Sequence, residues 1–308
     1  MLLSITIVNL IIDILTIISH SLGLYLLRNV KASENFPEIQ RYLLIQLSVC
    51  ELVCGLLFLL TDLIPLLIRY GGDVNAELII EIDIVLRVIL NLPFFILFVF
   101  TMLLITTDRF LYVYLNIRYP LVCTLRKVKI LFRFFQVILV LAVLLIIIFR
   151  QDASIMDNVA LFTWPIGDIL FLTVAITTYS YLFKKIRENR KIDNQISSRF
   201  TRTTSEIENK LQSNIEAQSS HGTFKRNTSM KPFLMLALLI LSYILFIVIP
   251  DEVYFWHLLF NIEINEQIYH IMTTLFKLGY LSDAVIYIFL QKEVFARAKM
   301  IVLRCDTI

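Results

Sequence analysis

Asp108 and Arg109 stand side by side just after an apolar stretch that runs from residue 85 to residue 107. Either charge buried alone at membrane depth would cost several kcal/mol. Adjacent to each other the two neutralise their charges, because a planar guanidinium donates well-aligned hydrogen bonds to a carboxylate. Such a pair can be broken by a change of conformation. The acid binds the arginine while the two are close, and the arginine can bind a partner once they separate.

Three further ionisable residues, Glu51, Lys277 and Asp283, lie inside apolar stretches. Ionisable residues within membrane helices are costly and by default indicate functional sites. Asp251 and Glu252 lie near the end of another apolar stretch. We expect Lys277 either to pair with one of these two acids or to bind a carboxylate group of a ligand.

Seven apolar stretches position these residues, and each is about as long as the roughly 20 residues that a helix needs to cross a membrane. They cover residues 3–27, 42–68, 85–107, 130–149, 159–183, 232–259 and 268–290. The predicted fold is an all-α membrane protein, a seven-transmembrane helix bundle over residues 1–290 with a short amphipathic C-terminal helix.

The composition agrees with a membrane protein and excludes other classes. Hydrophobic residues make up 58% of the chain and charged residues only 17%, against about 25% charged residues in soluble domains. A net charge of +3 gives no support to nucleic-acid binding. There is no His-Glu-x-x-His or Gly-x-Ser-x-Gly motif and the four histidines do not cluster, so we predict no enzyme, no catalytic residues and no metal.

The positions of the basic residues predict the orientation. Of the 28 Lys and Arg residues, 24 cluster after the first, third, fifth and seventh stretches, whereas the acids outside the stretches favour the opposite side. Basic residues are enriched in cytoplasmic segments. We therefore expect a multi-pass protein of the plasma membrane with an extracellular N-terminus and a cytoplasmic C-terminus.

Two soluble segments follow from this orientation. Residues 190–230 are rich in Ser, Thr, Asn, Gln and Arg, which predicts a flexible third cytoplasmic loop, either a phosphorylation cluster or a plain linker. Residues 291–308 form an amphipathic cytoplasmic tail that suits the inner leaflet. Cys305 in this tail is a candidate for lipidation, and a free thiol is the equal alternative.

The third stretch carries the first resemblance to a known family. Asp108-Arg109-Phe110 resembles the Asp-Arg-Tyr motif of rhodopsin-like (class A) G-protein-coupled receptors, with Phe in place of Tyr, and Tyr119 follows at the family's interval. Tyr179 lies near the inner end of the fifth stretch, where the family has a tyrosine. The resemblance implies that these residues form the switch that couples to a G protein.

Other stretches extend the resemblance over nearly the whole chain. Asp283 and Tyr287 are similar to the family's Asn-Pro-x-x-Tyr motif in its Asp variant, with Ala284 in place of the proline. We therefore expect a continuous last helix without the family's kink. Glu51 stands at the position of the family's sodium-site carboxylate, so the resemblance places it near Asp283 in a buried polar core. Pro250 matches the family's kink proline in span six.

The resemblance implies a receptor that transduces an extracellular ligand signal across the plasma membrane by outward movement of span six. Its implied partners are a heterotrimeric G protein, arrestin and a receptor kinase, and its ligand is a small molecule, a lipid or a short peptide. The candidate pocket residues are Arg87, Asn91, Asp251, Glu252 and Lys277. Asn91 is neutral at the family's amine-anchoring position, which disfavours a biogenic amine.

Two alternatives remain open. Lys277 lies ten residues before Tyr287, the spacing of the retinal-binding lysine in opsins, so an opsin-like photoreceptor with retinal as its cofactor is one alternative; Arg87 at the counterion position disfavours it. A transporter is the other, although no internal repeat is apparent. Met230 stands where many receptors have an acid that restrains the arginine, which predicts ligand-independent signalling.

Overall fold

A computed structural model describes residues 2–32, 36–70, 85–115, 118–148, 167–185, 231–260 and 265–305, with residues 82, 187, 188 and 191 between them. The chain divides into two compact units, of which the first comprises Met1–Ala175 and Met230–Ile308 and the second Ile176–Ser229. Apart from residue 191, the predicted third cytoplasmic loop over 190–230 lies outside the described residues.

The described chain is almost entirely helical. In chain order its α-helices are α1 (Leu2–Asn29), α2 (Glu38–Tyr70), α3 (Leu92–Leu115), α4 (Tyr119–Val122), α5 (Leu125–Ile148), α6 (167–185), α7 (Lys231–Tyr243), α8 (Ile249–Leu259), α9 (Glu266–Leu290) and α10 (Lys292–Cys305). Two π-helical segments interrupt the pattern: Val85–Asn91 leads into α3, and Ile244–Val248 joins α7 to α8.

Six helical segments in the described ranges are long and apolar enough to cross a membrane. They are Ser4–Asn29, Glu38–Ile64, Leu92–Leu115, Leu125–Leu145, Leu234–His257 and Gln267–Leu290. These segments indicate a multi-pass membrane protein. The predicted stretch 159–183 is described only from residue 167, as α6, and is not among the six. The seventh span therefore stays a prediction.

A proline lies two residues after the end of each π-helical segment. Pro93 follows the first segment and Pro250 follows the second. Proline has no N–H to donate and its ring presses on the preceding turn. The N–H of Ile249 accordingly bonds to the carbonyl of Ile244, five residues back. Such local widening of a helix is frequent beside functional sites.

The last two helices confirm two expectations. With Ala284 in place of a proline, α9 is continuous from Glu266 to Leu290. Gln291 has an extended backbone that separates α9 from α10, and α10 is the helix predicted in the tail. The side chain of Cys305 lies outside the described part.

The centre of the first unit is built around α9. This helix lies against α1, α2, α7 and α8, and α2 also lies against α3. In contrast, α5 is largely exposed, with large apolar side chains such as Phe134 and Ile148 at its surface, as expected for a helix that faces lipid. Several of the buried polar residues, among them Asp13, Glu51 and Asp283, lie on α9 or on the helices next to it.

Candidate functional site

The predicted contact between Asp108 and Arg109 is present at the C-terminal end of α3. Nε and Nη2 of Arg109 donate to Oδ2 of Asp108 at 3.1 and 2.8 Å. The hydroxyl of Tyr119 donates to the other carboxylate oxygen, Oδ1. Arg109 is only 4% exposed and Asp108 only 7%. The guanidinium charge is thus neutralised inside the protein, and both carboxylate oxygens are occupied.

Tyr119 is an integral part of this contact. Burial, and then the nearby carboxylate of Asp108, raises the pKa of Tyr119 well above its ordinary value, so its hydroxyl remains a donor. Its ring meets that of Tyr112 edge-on, with centroids 5.3 Å apart. The ring centroid of Tyr112 in turn lies 5.6 Å from Cζ of Arg109. We call Asp108, Arg109 and Tyr119 the arginine lock.

A second buried contact joins three helices through Lys277. Its Nζ donates to Oδ2 of Asp13 at 2.7 Å and to Oδ2 of Asp62 at 2.8 Å. Lys277 lies on α9, Asp13 on α1 and Asp62 on α2. Lys277 is 2% exposed and Asp13 1%. We call these three residues the triad, in which two carboxylates share one ammonium group.

The expected pairing of Lys277 with Asp251 or Glu252 is wrong. Its partners are instead Asp13 and Asp62, which are 264 and 215 residues away in the sequence. Packing of α1 and α2 against α9 brings these acids within reach. Because two carboxylates already share the ammonium, Lys277 has no uncompensated charge to offer a carboxylate on a ligand.

A cavity of about 380 Å³ lies beside Lys277 at the N-terminal end of α3. Phe58, Phe95 and Phe276 line it, and the ring centroid of Phe276 lies 6.1 Å from that of Phe58 and 5.5 Å from that of Phe95. Its polar lining includes Asn9, Thr61, Asp62, Asn91, Asp251, Thr273 and Lys277. Both π-helical segments end beside it, because Asn91 closes the first and Pro250 follows the second.

The cavity brings together three of the predicted pocket residues, Asn91, Asp251 and Lys277. Glu252 is not part of the lining, although it is next to Asp251, and the side chain of Arg87 lies outside the described part. Oδ1 of Asn91 and Oδ2 of Asp251 are buried and have no hydrogen-bond partner in the described ranges. Two residues of the cavity lining thus each have a buried acceptor atom without a partner among the described residues.

Glu51 and Asp283 form a second polar cluster, as the family resemblance implies. We call them the acid pair; they lie close enough to interact electrostatically, and their exposures are 0% and 1%. None of their four carboxyl oxygens has a regular hydrogen-bond partner among the described residues. His20 is a neighbour, with Nδ1 3.4 Å from Oε2 of Glu51. Its Nε2 lies 2.9 Å from the carbonyl oxygen of Tyr280 and must donate there, because a carbonyl only accepts.

Tyr287 connects this region to α1 and α2. Its hydroxyl forms a hydrogen bond with Ser48 of α2 and packs on Gly23 of α1, where any Cβ would overlap the phenol. On the other side, Ser242 of α7 bonds to Ser282 of α9 at 2.5 Å. Four helices thus meet around the acid pair.

Sequence reasoning missed four ionisable residues within the helices, of which three are buried and Asp62 has a side chain that is 17% exposed. Asp13, His20 and Asp62 each lie within an apolar stretch, so the cost of burying an ionisable group was a signal that could have found them. The fourth is Asp168 on α6, which is 3% exposed. Its Oδ1 accepts a hydrogen bond from the hydroxyl of Tyr243 at 2.6 Å, while Oδ2 has no partner in the described ranges.

Two other predicted switch residues, Phe110 and Tyr179, are not members of the arginine lock. The ring of Phe110 stacks on Tyr114, with centroids 5.6 Å apart. Tyr179 belongs to the second unit, and its hydroxyl has no hydrogen-bond partner in the described part of the chain. Met230, on which the expectation of ligand-independent signalling depends, lies outside the described residues.

Comparison with known proteins gives no further guide to function: no protein-family model and no curated protein matches the chain. Within the described ranges, no group of three or more His, Cys, Asp or Glu residues could hold a metal ion. The case for a function therefore depends on the arginine lock, the cavity and the buried clusters between them.

Proposed function

We propose that the chain is a rhodopsin-like G-protein-coupled receptor of the plasma membrane, with seven spans, an extracellular N-terminus and a cytoplasmic C-terminus. One observation carries the proposal. Asn91 in the cavity wall and Arg109 in the arginine lock lie 18 residues apart on one continuous helical segment. At 1.5 Å per residue this is about 27 Å, close to the roughly 30 Å of a hydrocarbon core. A ligand and a cytoplasmic protein can thus act on one helix from opposite membrane faces.

The arginine lock suits the inactive state of such a receptor. A ligand in the cavity would favour a conformation in which α7 and α8 move outward, with the π-helical segment before Pro250 as the bending point. Arg109 would then leave Asp108 and bind a heterotrimeric G protein. Arrestin and a receptor kinase would act afterwards on the cytoplasmic segments. Because an equilibrium shifts only as far as the ligand discriminates between states, the cavity must differ in shape between them.

Signalling in cells tests the arginine lock. Basal cAMP, calcium and inositol phosphate are measured in cells that express the wild type, Arg109→Ala or Asp108→Asn. We expect a basal signal in the wild type that Arg109→Ala abolishes. Asp108→Asn should raise this signal by several-fold, because it removes the charge that holds Arg109, and Tyr119→Phe should raise it less.

Arg28→Ala is the matched control, since Arg28 is an exposed arginine at the end of α1 and should leave the signal unchanged. Surface expression is measured for every variant. A wild-type signal that Arg109→Ala leaves intact, at equal surface expression, would contradict the proposal.

The opsin alternative is tested in the same cells. A protonated retinal Schiff base at Lys277 would carry one N–H, whereas the ammonium now donates to both Asp13 and Asp62. Adduct formation would therefore require one of these contacts to break. A response to light in the presence of retinal, lost in Lys277→Ala, would replace the receptor proposal by a photoreceptor.

The two buried clusters favour a transporter as the second candidate. Lys277 and Asp283 lie six residues apart on α9, with Tyr280 between them, so buried ionisable groups succeed one another along one helix. Such a series is a feature of ion and proton pathways. Uptake of protons or sodium into proteoliposomes, lost in Asp283→Asn, would support this function. Absence of uptake together with an Arg109-dependent signal would leave the receptor.

A further inference from the structure

We infer that the cavity binds an organic cation, a protonated amine on an aromatic or aliphatic body, and that the carboxylate of Asp251 is its anchor. This inference rests on the proposed receptor function for the role of the bound molecule. Its test measures binding and not signalling, so that the two proposals can fail separately.

The charges around the cavity are out of balance. Asp62, Asp251 and Lys277 are the Asp, Glu, Lys and Arg residues of its lining, to which His270 also belongs. The single ammonium of Lys277 is already shared by Asp62 and Asp13. In the part of the chain that is described, no lysine or arginine pairs with Asp251. A ligand that brings a positive charge would supply the missing partner.

Asp168 strengthens this imbalance. The residues that act electrostatically on Asp251 include two more acids, Asp168 and Glu252. Asp168 is 3% exposed, and one of its carboxylate oxygens has no hydrogen-bond partner in the described ranges. Asp168 is buried and Asp251 is half-buried, each has one carboxylate oxygen without a hydrogen-bond partner in the described ranges, and the two acids act on one another electrostatically. A cation bound at Asp251 would lie in the field of both, whereas an anionic ligand would be repelled by both.

The remaining walls also suit an amine. An ammonium group has several N–H donors, and Asn91 and Asp251 of the lining each have a buried oxygen without a hydrogen-bond partner among the described residues, which a rotation of the side chain would present to the ligand. Phe95 and Phe276 offer ring faces that attract a cation and cover an apolar body. Asn91, whose neutrality disfavours an amine on sequence grounds, is thus an additional acceptor for a cation held by an acid on α8.

The experiment compares three probes of similar size and different charge on the full-length protein in lipid nanodiscs. They are 2-phenylethylamine, 2-phenylethanol and 3-phenylpropanoate, which are cationic, neutral and anionic at neutral pH. Binding is followed by thermal unfolding and by saturation-transfer NMR. We expect the amine to raise the unfolding temperature in a concentration-dependent manner, and the alcohol and the acid to have little effect at the same concentrations. Equal shifts for the amine and the alcohol would overturn the inference.

Variants assign the anchor. Asp251→Asn should weaken amine binding by about ten-fold or more, because a charge-assisted hydrogen bond is lost from a buried site. Asp251→Glu retains the carboxylate and should recover part of the affinity, which separates loss of charge from misfolding. Glu38→Gln is the matched control: it makes the same chemical change at an exposed acid at the start of α2, outside the cavity lining, and should leave the affinity unchanged. Unchanged affinity in Asp251→Asn would overturn the inference.

The binding and signalling experiments distinguish the cation site from the receptor function. Amine binding that depends on Asp251, without any Arg109-dependent signal in cells, would retain the cation site and remove the receptor function. An Arg109-dependent signal, combined with no preference for the amine over the alcohol, would retain the receptor and overturn the cation site.

Discussion

The triad and the acid pair are two buried polar clusters on the same helix with opposite electrostatic character. Lys277 and Asp283 are six residues apart on α9, a rise of roughly 9 Å. In the triad, an ammonium donates to two carboxylates at 2.7 and 2.8 Å. In the acid pair, two carboxyl groups face each other, and the base beside them among the described residues is His20, 3.4 Å from Glu51.

The difference shows what each cluster is suited to do. Opposite charges with short, direct contacts hold α1, α2 and α9 in one arrangement, and separating them would leave a charge buried without a partner. Two carboxyl groups at close range in a low-dielectric interior cannot both be charged without a large cost. The acid pair must therefore hold a proton or a cation. It is the cluster whose state can change, and the triad is the one that fixes the helices.

Removal of the ammonium group of Lys277 should give the largest change in the free energy of unfolding. Lys277→Met retains the length of the side chain but leaves Asp13 and Asp62 facing each other in the interior. We expect the free energy of unfolding to fall by about 3–5 kcal/mol, the usual cost of breaking a buried ion pair. Thermal unfolding in detergent, followed by tryptophan fluorescence, measures the loss.

A background without the two carboxylates of the triad provides the control for this loss. In Asp13→Asn with Asp62→Asn, the further change Lys277→Met should cost far less than it does in the wild type. Equal losses of unfolding free energy in the two backgrounds would show that the triad stabilises the protein by packing and not by charge. The electrostatic contrast between the triad and the acid pair would then be wrong.

A substitution that disturbs the packing beside the acid pair should give an intermediate change in the free energy of unfolding. Gly23→Ala places a methyl group where the hydroxyl of Tyr287 now lies. We expect a destabilisation of about 1–3 kcal/mol, typical of overpacking, as Tyr287 gives up its bond to Ser48. Gly167→Ala is the matched control, because a Cβ there meets no atom within 4 Å. The same unfolding assay measures both, and similar unfolding temperatures for the two variants would contradict this account.

Neutralisation of one member of the acid pair should give the smallest change in the free energy of unfolding, and any change should be a stabilisation. Glu51→Gln retains the shape of the side chain and leaves Asp283 without a second carboxyl group beside it. We expect the free energy of unfolding to remain unchanged or to rise, by about 1 kcal/mol or less. A loss as large as that of Lys277→Met would mean that Glu51 has a cationic partner, and the contrast between the two clusters would be wrong.

The sequence predicts well where the helices lie along the chain, and it predicts poorly which helices pack against each other. Long apolar stretches indicated the membrane helices, and Ala284 indicated a continuous α9, which the structure confirms. The contact between Asp108 and Arg109 was predictable because the two residues are neighbours in the sequence, so that no packing of one helix on another is needed to bring their side chains within reach. The partners of Lys277 were not, because Asp13 and Asp62 lie on two other helices, 264 and 215 residues away.

By itself, the sequence determined that this is a helical membrane protein with an acid and an arginine paired at a helix end. Composition and the length of apolar stretches decide this, since a polar backbone in lipid must satisfy its hydrogen bonds within each helix. Only the tertiary structure decided that Lys277 is neutralised by Asp13 and Asp62 and that Asp251 in the cavity has no lysine or arginine partner among the described residues. The reason is that a charge's partners depend on which helices pack together, and apolar stretches of similar composition leave that choice open.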